Sequence, residues 1–354
     1  MKKINVLVVD DSAFMRKLIS EFLNADHQIN VVGTARDGLD AITKIEKLHP
    51  DVVTLDVEMP GMNGIDVLKK VMKENPLPVV MLSSTTKDGA DNTLAAIQFG
   101  AVDFIQKPSG SISIDLHIIK QEIVTKVINA SKANIKSLQN PITPGITSTN
   151  KSIGKHNQGS IARNTVKKLL CIGTSTGGPR ALQQVLTKFP KDYEAPILIV
   201  QHMPPGFTKS LANRLNSICE INVKEAENGE IVKAGTAYIA PGGYHLKVKK
   251  MGTSLAVHIE NSEPRNGHRP SVDILFESIS EIENVRKIAV IMTGMGADGA
   301  VGLKRMKETG QVISIAESQE TSVVFGMPKA AIETNLVDRV VPLGNIAETV
   351  LSLT

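Results

Sequence analysis

CIGTSTGGPR, residues 171–180, follows the apolar run KKLLCIG and leads into the helical pattern PRALQQVL. A buried strand, a glycine turn and a helix with Pro179 near its first position make one β-turn-α unit. Such a turn can cradle a phosphate or expose a hydroxyl. A dinucleotide turn needs G-x-G-x-x-G, with an acid closing the next strand. Here Ser175 stands in the second glycine's place, and the next strand, APILIVQH, closes in Gln201 and His202. GTSTG instead fits G-x-S-x-G, in which a sharp turn exposes Ser175 Oγ and aims the free N–H groups of the helix start at the same spot.

A serine hydroxyl is a weak nucleophile and needs an adjacent base. His202 ends the neighbouring strand, on the same edge of the sheet. A third strand, KIAVIMTGMGADG, ends in a glycine-rich loop bearing Asp298. An acid there can accept from His202 Nδ1–H and leave Nε2 for the serine. Singly, His202 reads as a structural histidine and Asp298 as a turn residue; together with Ser175 they read as a hydrolytic triad. The chain order Ser, His, Asp departs from the Ser, acid, His order of the α/β-hydrolases. His156 and His258 carry little weight. His245 falls on the polar face of an alternating strand, and neither it nor His268 is given a catalytic role.

Outward from this unit the β-α alternation runs to both ends. Before it, INVLVVDD, DVVTLDVEMPG, PVVMLSS and VDFIQKP read as strands, with amphipathic helices over Phe14–Leu23, Gly38–Leu48 and about Asp115–Ala133. After it come the helix SVDILFESIS and the strands QVISIAE and VDRVVPL, with TAYIAP, YHLKVKK and SLAVHIE as a small antiparallel annexe. The expectation is α/β: two doubly wound parallel-sheet units, a flavodoxin-like one and a Rossmann-like one. SLQNPITPGITSTNKSIGKHNQGSIARNT, rich in Ser, Thr, Asn, Gly and Pro, reads as a flexible linker. The division is residues 1–125, then 126–165 for the end of a helix and the linker, then 166–354.

At the edge of the first sheet, Asp10, Asp11 and Asp56 end two strands, Ser83 a fourth and Lys107 a fifth. Clustered carboxylates repel one another unless a hard divalent cation neutralises them, and Mg²⁺ suits such a set. Acids, a cation, a hydroxyl and an ammonium are the equipment for phosphorylating an aspartate. Helix caps are the plainer reading of single acids at such positions.

The 354 residues are 42% hydrophobic and 21% charged, enough apolar content for two cores. Tryptophan is absent and aromatics are 3%, poor provision for stacking nucleic-acid bases. Residues 1–122 carry 13 Lys and Arg against 17 Asp and Glu; residues 123–165 carry 6 against none. The basic excess therefore falls in the linker and reads as a solvated tether, not a nucleic-acid site. Two cysteines make no disulfide framework, which suits a reducing cytoplasm. Asp10 and Asp11 interrupt the first apolar run too early for a signal peptide, and no apolar stretch is long enough to span a bilayer.

VVDDS, TLDVEMPGMNG, LSS and QKP make residues 1 to about 125 resemble a response-regulator receiver domain. The resemblance implies that Asp56 accepts the phosphoryl group, that Asp10, Asp11 and Asp56 hold Mg²⁺, and that Ser83 and Lys107 read out the phosphoryl group. Phe104 sits where such domains carry a switch aromatic, often tyrosine. IGTSTGGP, QHMPPGFT, APGGYH, RPSVD, MTGMGADG and VFGMP, in that order, are similar to the catalytic domain of the chemotaxis protein-glutamate methylesterases. That implies Ser175 as nucleophile, His202 as base and Asp298 as orienting acid, with Thr176 and Met295 shaping the oxyanion pocket. No cofactor is implied for the hydrolysis. The implied substrates are glutamyl methyl esters, and glutamines, on cytoplasmic chemoreceptor helices, and the implied phosphodonor is a chemotaxis histidine kinase. The unphosphorylated receiver is expected to cover the cleft at Ser175. A phosphorylation-dependent binding protein and a nucleotide-binding effector stand as alternatives; methanol release separates the first, and saturable cofactor binding identifies the second.

Overall fold

The computed structural model describes residues 2–84, 86–107, 116–139 and 168–353. The N-terminal half runs β1 (Ile4–Val9), α1 (Ala13–Asn24), β2 (Ile29–Ala35), α2 (Gly38–Leu48), β3 (Val52–Asp56), α3 (Gly64–Glu74), β4 (Val79–Ser83), α4 (Lys87–Gln98), β5 (Asp103–Gln106), α5 (Leu116–Ala130) and α6 (Ile135–Gln139). Its five strands are parallel in the order β2-β1-β3-β4-β5. β3 and β4 are buried along their whole length, as strands covered on both faces must be, which is why they read as unbroken apolar runs. Ser12, Asp37, Asn63 and Thr86 start α1 to α4 with side-chain oxygens that accept a first-turn N–H.

The C-terminal half runs β6 (Lys168–Thr174), α7 (Gly178–Leu186), β7 (Ile197–Gln201), α8 (Phe207–Asn216), β8 (Asn222–Glu225), β9 (Thr236–Ile239), β10 (His245–Met251), β11 (Ser254–Glu260), α9 (Val272–Ser280), β12 (Arg286–Ile291), α10 (Ala300–Thr309), β13 (Val312–Glu317), α11 (Met327–Glu333), β14 (Arg339–Val341) and α12 (Leu343–Leu351). Seven strands form one parallel sheet in the order β14-β13-β12-β6-β7-β9-β8, and β10 and β11 pair antiparallel beside it. The chain moves outward from β6 in one direction to β8 and in the other from β12 to β14. The switch point thus falls between β6 and β12, where a crevice opens at the strand ends.

The fold class expected from the sequence is the one observed, with two corrections to its parts. TAYIAP is not part of the annexe: as β9 it lies in the main sheet between β7 and β8, and β8 itself is short and mostly polar, so its period was not read. The flexible linker does not begin at Ser137. Ile135–Gln139 is helical, Leu138 is buried, Asn134 N–H donates to Val323 O (2.9 Å), and Asn134 Nδ2 donates to Glu320 O (3.0 Å). His156 and residues 140–165 of the expected linker lie outside the described residues. Cys171 and Cys219 are free thiols. No helix among the described residues is long and apolar enough to cross a membrane.

The halves pack through α4 on α7 and α8. Phe104 stacks on Phe207 with ring centroids 4.5 Å apart. Around Gln98, the carbonyl accepts from Arg180 Nη1 (3.1 Å), Oε1 accepts from Arg214 Nη2 (3.1 Å), and Nε2 donates to Gln183 Oε1 (3.0 Å).

Candidate active site and phosphoryl-acceptor pocket

Ser175 leaves β6 at the switch point. Gly177 follows with φ of +77°, and a Cβ there would stand 2.7 Å from Val323. At Gly178 it would stand 2.0 Å from Gln201 Oε1. Only glycine therefore permits the tight turn, the first for its backbone as well as its space. Gln201 Nε2 donates to Ser175 O at 3.0 Å and ties the turn to β7. No side chain caps α7, so its start faces the crevice with backbone donors.

His202 and Asp298 meet as the sequence reading expects, but through the other nitrogen. His202 Nε2 lies 2.7 Å from Asp298 Oδ2, and the buried Nδ1 has no hydrogen-bond partner. The expected Nδ1-to-acid pairing is corrected: the ring enters from the end of β7 with its far nitrogen reaching the β12 loop, so Nδ1 is the nitrogen left without a partner. Asp298 also accepts from Ser271 Oγ (2.9 Å), Val272 N (2.7 Å) and Asp273 N (2.9 Å). Its carboxylate thus caps the start of α9 from a distant segment. Burial alone would raise its pKa, but the His202 bond and these N–H groups hold it well below the ordinary range. The nearby Asp273 is pushed up to about 6, by burial first and also by the Asp298 charge. Its Oδ1 accepts from Gly299 N (2.9 Å) and Gly302 N (2.7 Å), fastening the Asp298 loop to α10.

His268, assigned no role from the sequence, lies flat on His202, with ring centroids 4.0 Å apart and planes 8° apart. Burial, then the His202 charge, lowers its pKa to about 4, so it is neutral near pH 7. The available signal was its place just before Ser271 and Val272, the residues that hold Asp298. His245 is corrected as well: it is fully buried, with Nε2 3.1 Å from Glu263 O, and not on an exposed polar face.

In the first sheet, Asp10, Asp11 and Asp56 place ligand oxygens within 4.8 Å of one another, and Lys107 Nζ lies 2.9 Å from Asp10 Oδ2 and 2.7 Å from Asp56 Oδ2. Asp10 and Asp56 are buried and Asp11 is exposed. Burial, against the pull of Lys107, raises Asp56 to about 6. Hard oxygen donors with this excess of charge fit a divalent cation. Ser83 is turned away: its hydroxyl donates to Gly89 O at 3.1 Å and is bonded by Thr93 Oγ1.

A family model described as CheB methylesterase matches residues 170–350, and one described as response regulator receiver domain matches residues 6–119. The chain is 56% identical over 355 residues to a protein-glutamate methylesterase/protein-glutamine glutaminase of Geobacillus kaustophilus, covering 100% of this chain and 99% of that one. The chain belongs to the CheB methylesterase family. A family member of the same name in Pyrococcus abyssi is 46% identical over 99% of this chain and 93% of its own. The crystal structure of the Thermotoga maritima CheB methylesterase catalytic domain, 48% identical, superposes with a TM-score of 0.52 over 54% of this chain and 100% of that one.

In this CheB-family chain the Ser175 site faces the boundary between the halves. A cavity of about 580 Å³ lies between the halves, with Ser175, Thr176, His202, His268 and Met295 on one wall and Asp103, Glu122, Lys126 and Asn129 of the receiver on the other. Thr176 Oγ1 donates to Asp103 Oδ2 at 2.6 Å. Lys126, whose Nζ lies 3.4 Å from Asp103 Oδ1 and 3.0 Å from Glu122 Oε1, balances the two acids. Phe104 is buried against α8. Asp103 escaped the sequence reading because one acid at a strand start has no local signature.

Proposed function

We propose that this chain is a receiver-controlled protein-glutamate methylesterase and protein-glutamine glutaminase, acting in the cytoplasm on methyl-accepting chemoreceptors, with a chemotaxis histidine kinase as phosphodonor. The observation that carries the hydrolase reading is the His202–Asp298 bond beside Ser175. Asp298 fixes Nε2–H and leaves Nδ1 as the base. Ser175 Oγ attacks the ester carbonyl and His202 Nδ1 takes its proton. That proton leaves with methanol, or with ammonia from a glutamine. Water, deprotonated by the same nitrogen, releases the glutamate carboxylate and regenerates Ser175. Nδ1 is unbonded in this state, so its hydrogen bond with Ser175 Oγ must form before the attack. Thr176 and Met295 line the oxyanion side, and one lost oxyanion donor typically costs about 100- to 1,000-fold.

Asp56 is the phosphoacceptor, and Asp10, Asp11 and Asp56 would hold Mg²⁺. The bound ion supplies positive charge to the phosphoryl oxygens. Lys107 and Ser83 read out the product, Ser83 after leaving Gly89, and Phe104 carries the change to α8. The functional division follows residues 1–125, 126–165 and 166–354. The proposed cover of the cleft is the receiver wall, with Asp103 on Thr176, which would exclude a helix about 10–12 Å across. Phosphorylation shifts this contact and admits the receptor. The test is methanol release from methylated receptor membranes. Ser175→Ala should release none, and Asp56→Asn should keep basal release but lose stimulation by a phosphodonor. Release by Ser175→Ala, or stimulation of Asp56→Asn, would overturn the respective half.

A further inference from the structure

We propose that Glu317 is a positioning residue for the nucleophile: its carboxylate holds Thr293, and Thr293 holds the turn that carries Ser175. This rests on the reading of Ser175 as nucleophile. Glu317 ends β13, next to β12, and is 0% exposed. Its Oε2 accepts from Thr293 N–H at 2.8 Å and its Oε1 from Thr321 Oγ1 at 3.0 Å.

Thr293 lies just beyond β12, where the sheet ladder stops. Its N–H has left the sheet, and a carboxylate reaching across from the adjacent strand supplies the acceptor. The other polar groups of Thr293 converge on the nucleophile turn. The carbonyl accepts from Ser175 N–H (3.0 Å) and from Thr174 Oγ1 (2.8 Å). The hydroxyl donates to Thr176 O (2.9 Å) and accepts from Val324 N–H (3.0 Å). One residue thus grips positions 174, 175 and 176, and Glu317 grips that residue.

Burying a carboxylate with two neutral donors is unfavourable, and burial pushes Glu317 up to about 7. Its removal is worse for geometry than for packing, because Thr293 N–H would be left without an acceptor. The turn would then settle elsewhere. A displacement of 1 Å at a reacting atom can cost about 100-fold in rate.

The experiment uses the full chain, treated with a small-molecule phosphodonor, and reads methanol release and the rate of Ser175 labelling by a fluorophosphonate. Glu317→Gln keeps an acceptor oxygen and should stay within about threefold of the parent. Glu317→Leu removes it and should lower kcat roughly 10- to 100-fold, slow labelling in parallel, and leave KM within about twofold. A parental far-ultraviolet circular dichroism spectrum and a cooperative thermal melt report that the chain, catalytic half included, is folded. A folded Glu317→Leu with parental kcat, or a Glu317→Gln as impaired as Glu317→Leu, overturns the proposal. If Glu317→Leu does not fold, Glu317→Met decides. It keeps the length of the side chain but offers Thr293 N–H no acceptor oxygen, and should lower kcat about tenfold at unchanged KM; parental kcat overturns the proposal. Ser175→Ala, run alongside, tests the nucleophile separately: activity there would sink that reading, whatever the Glu317 variants do.

Discussion

The two halves build a site on the same edge of the same kind of sheet and give it opposite electrostatics. In the receiver half, Ser12, Asp37, Asn63 and Thr86 consume the first-turn N–H groups of their own helices, and the edge is left with Asp10, Asp11 and Asp56 around Lys107. In the catalytic half, α7 and α8 begin after Gly177 and Gly206 without side-chain caps, while Asp273 accepts from the start of α10. The acid there, Asp298, is spent on the start of α9 and on His202. An edge stripped of backbone donors and loaded with carboxylates suits a cation and a phosphoryl group. One that keeps its donors suits an oxyanion. The parallel sheet supplies the crevice, and the helix caps decide its sign.

Variants that strike one edge and spare the other test this division. The largest effect expected is from Ser175→Ala, a loss of roughly 10⁴-fold or more in hydrolysis with unchanged phosphorylation of Asp56. Asp298→Asn should cost about 10³- to 10⁴-fold, since an amide can leave His202 in the wrong tautomer. On the other edge, Asp56→Asn, or removal of Mg²⁺ by a chelator, should bring donor stimulation to unity without touching basal turnover. A basal loss in either case would break the separation. At the boundary, Asp103→Ala should raise basal methanol release by up to about tenfold, the worth of one charged hydrogen bond, and change the phosphorylated enzyme little.

The smallest effect is on stability and differs in sign between two buried groups. His268 is lowered to about 4 from 6.5, so the unfolded chain takes its proton first; its contribution is whole above about pH 6.5 and is lost as pH falls toward 4. Glu317 is raised to about 7 from 4.5; its contribution is whole below about pH 4.5 and is lost as pH rises toward 7. Thermal melts from pH 4 to 7 should therefore fall less steeply on acidification in His268→Phe. In Glu317→Gln they should lose less on going from pH 4.5 to 7.

The convergence of Ser175, His202 and Asp298 was legible because the first two close apolar runs, the third sits in the loop that follows another such run, and topology brings the ends of parallel strands to one edge. The acids of the receiver pocket were legible for the same reason. Ring orientation was not: which nitrogen of His202 meets Asp298 depends on the side-chain path off β7. The sequence does not separate β9 from the annexe, because an alternating strand looks alike in a parallel interior and an antiparallel hairpin. Glu317 and Asp103 were hidden for a further reason. Each is a lone acid at a strand terminus, and its importance comes from a partner, Thr293 or Thr176, that lies far away in the chain.

The segment Asn134–Gln139 belongs by sequence to the receiver's exit and by hydrogen bonding to the loop at Glu320 and Val323. The receiver is therefore fastened to the catalytic half here as well as through Phe104 and Gln98. Two fastenings on one pair of halves mean that any motion opening the boundary must break one of them or turn about it.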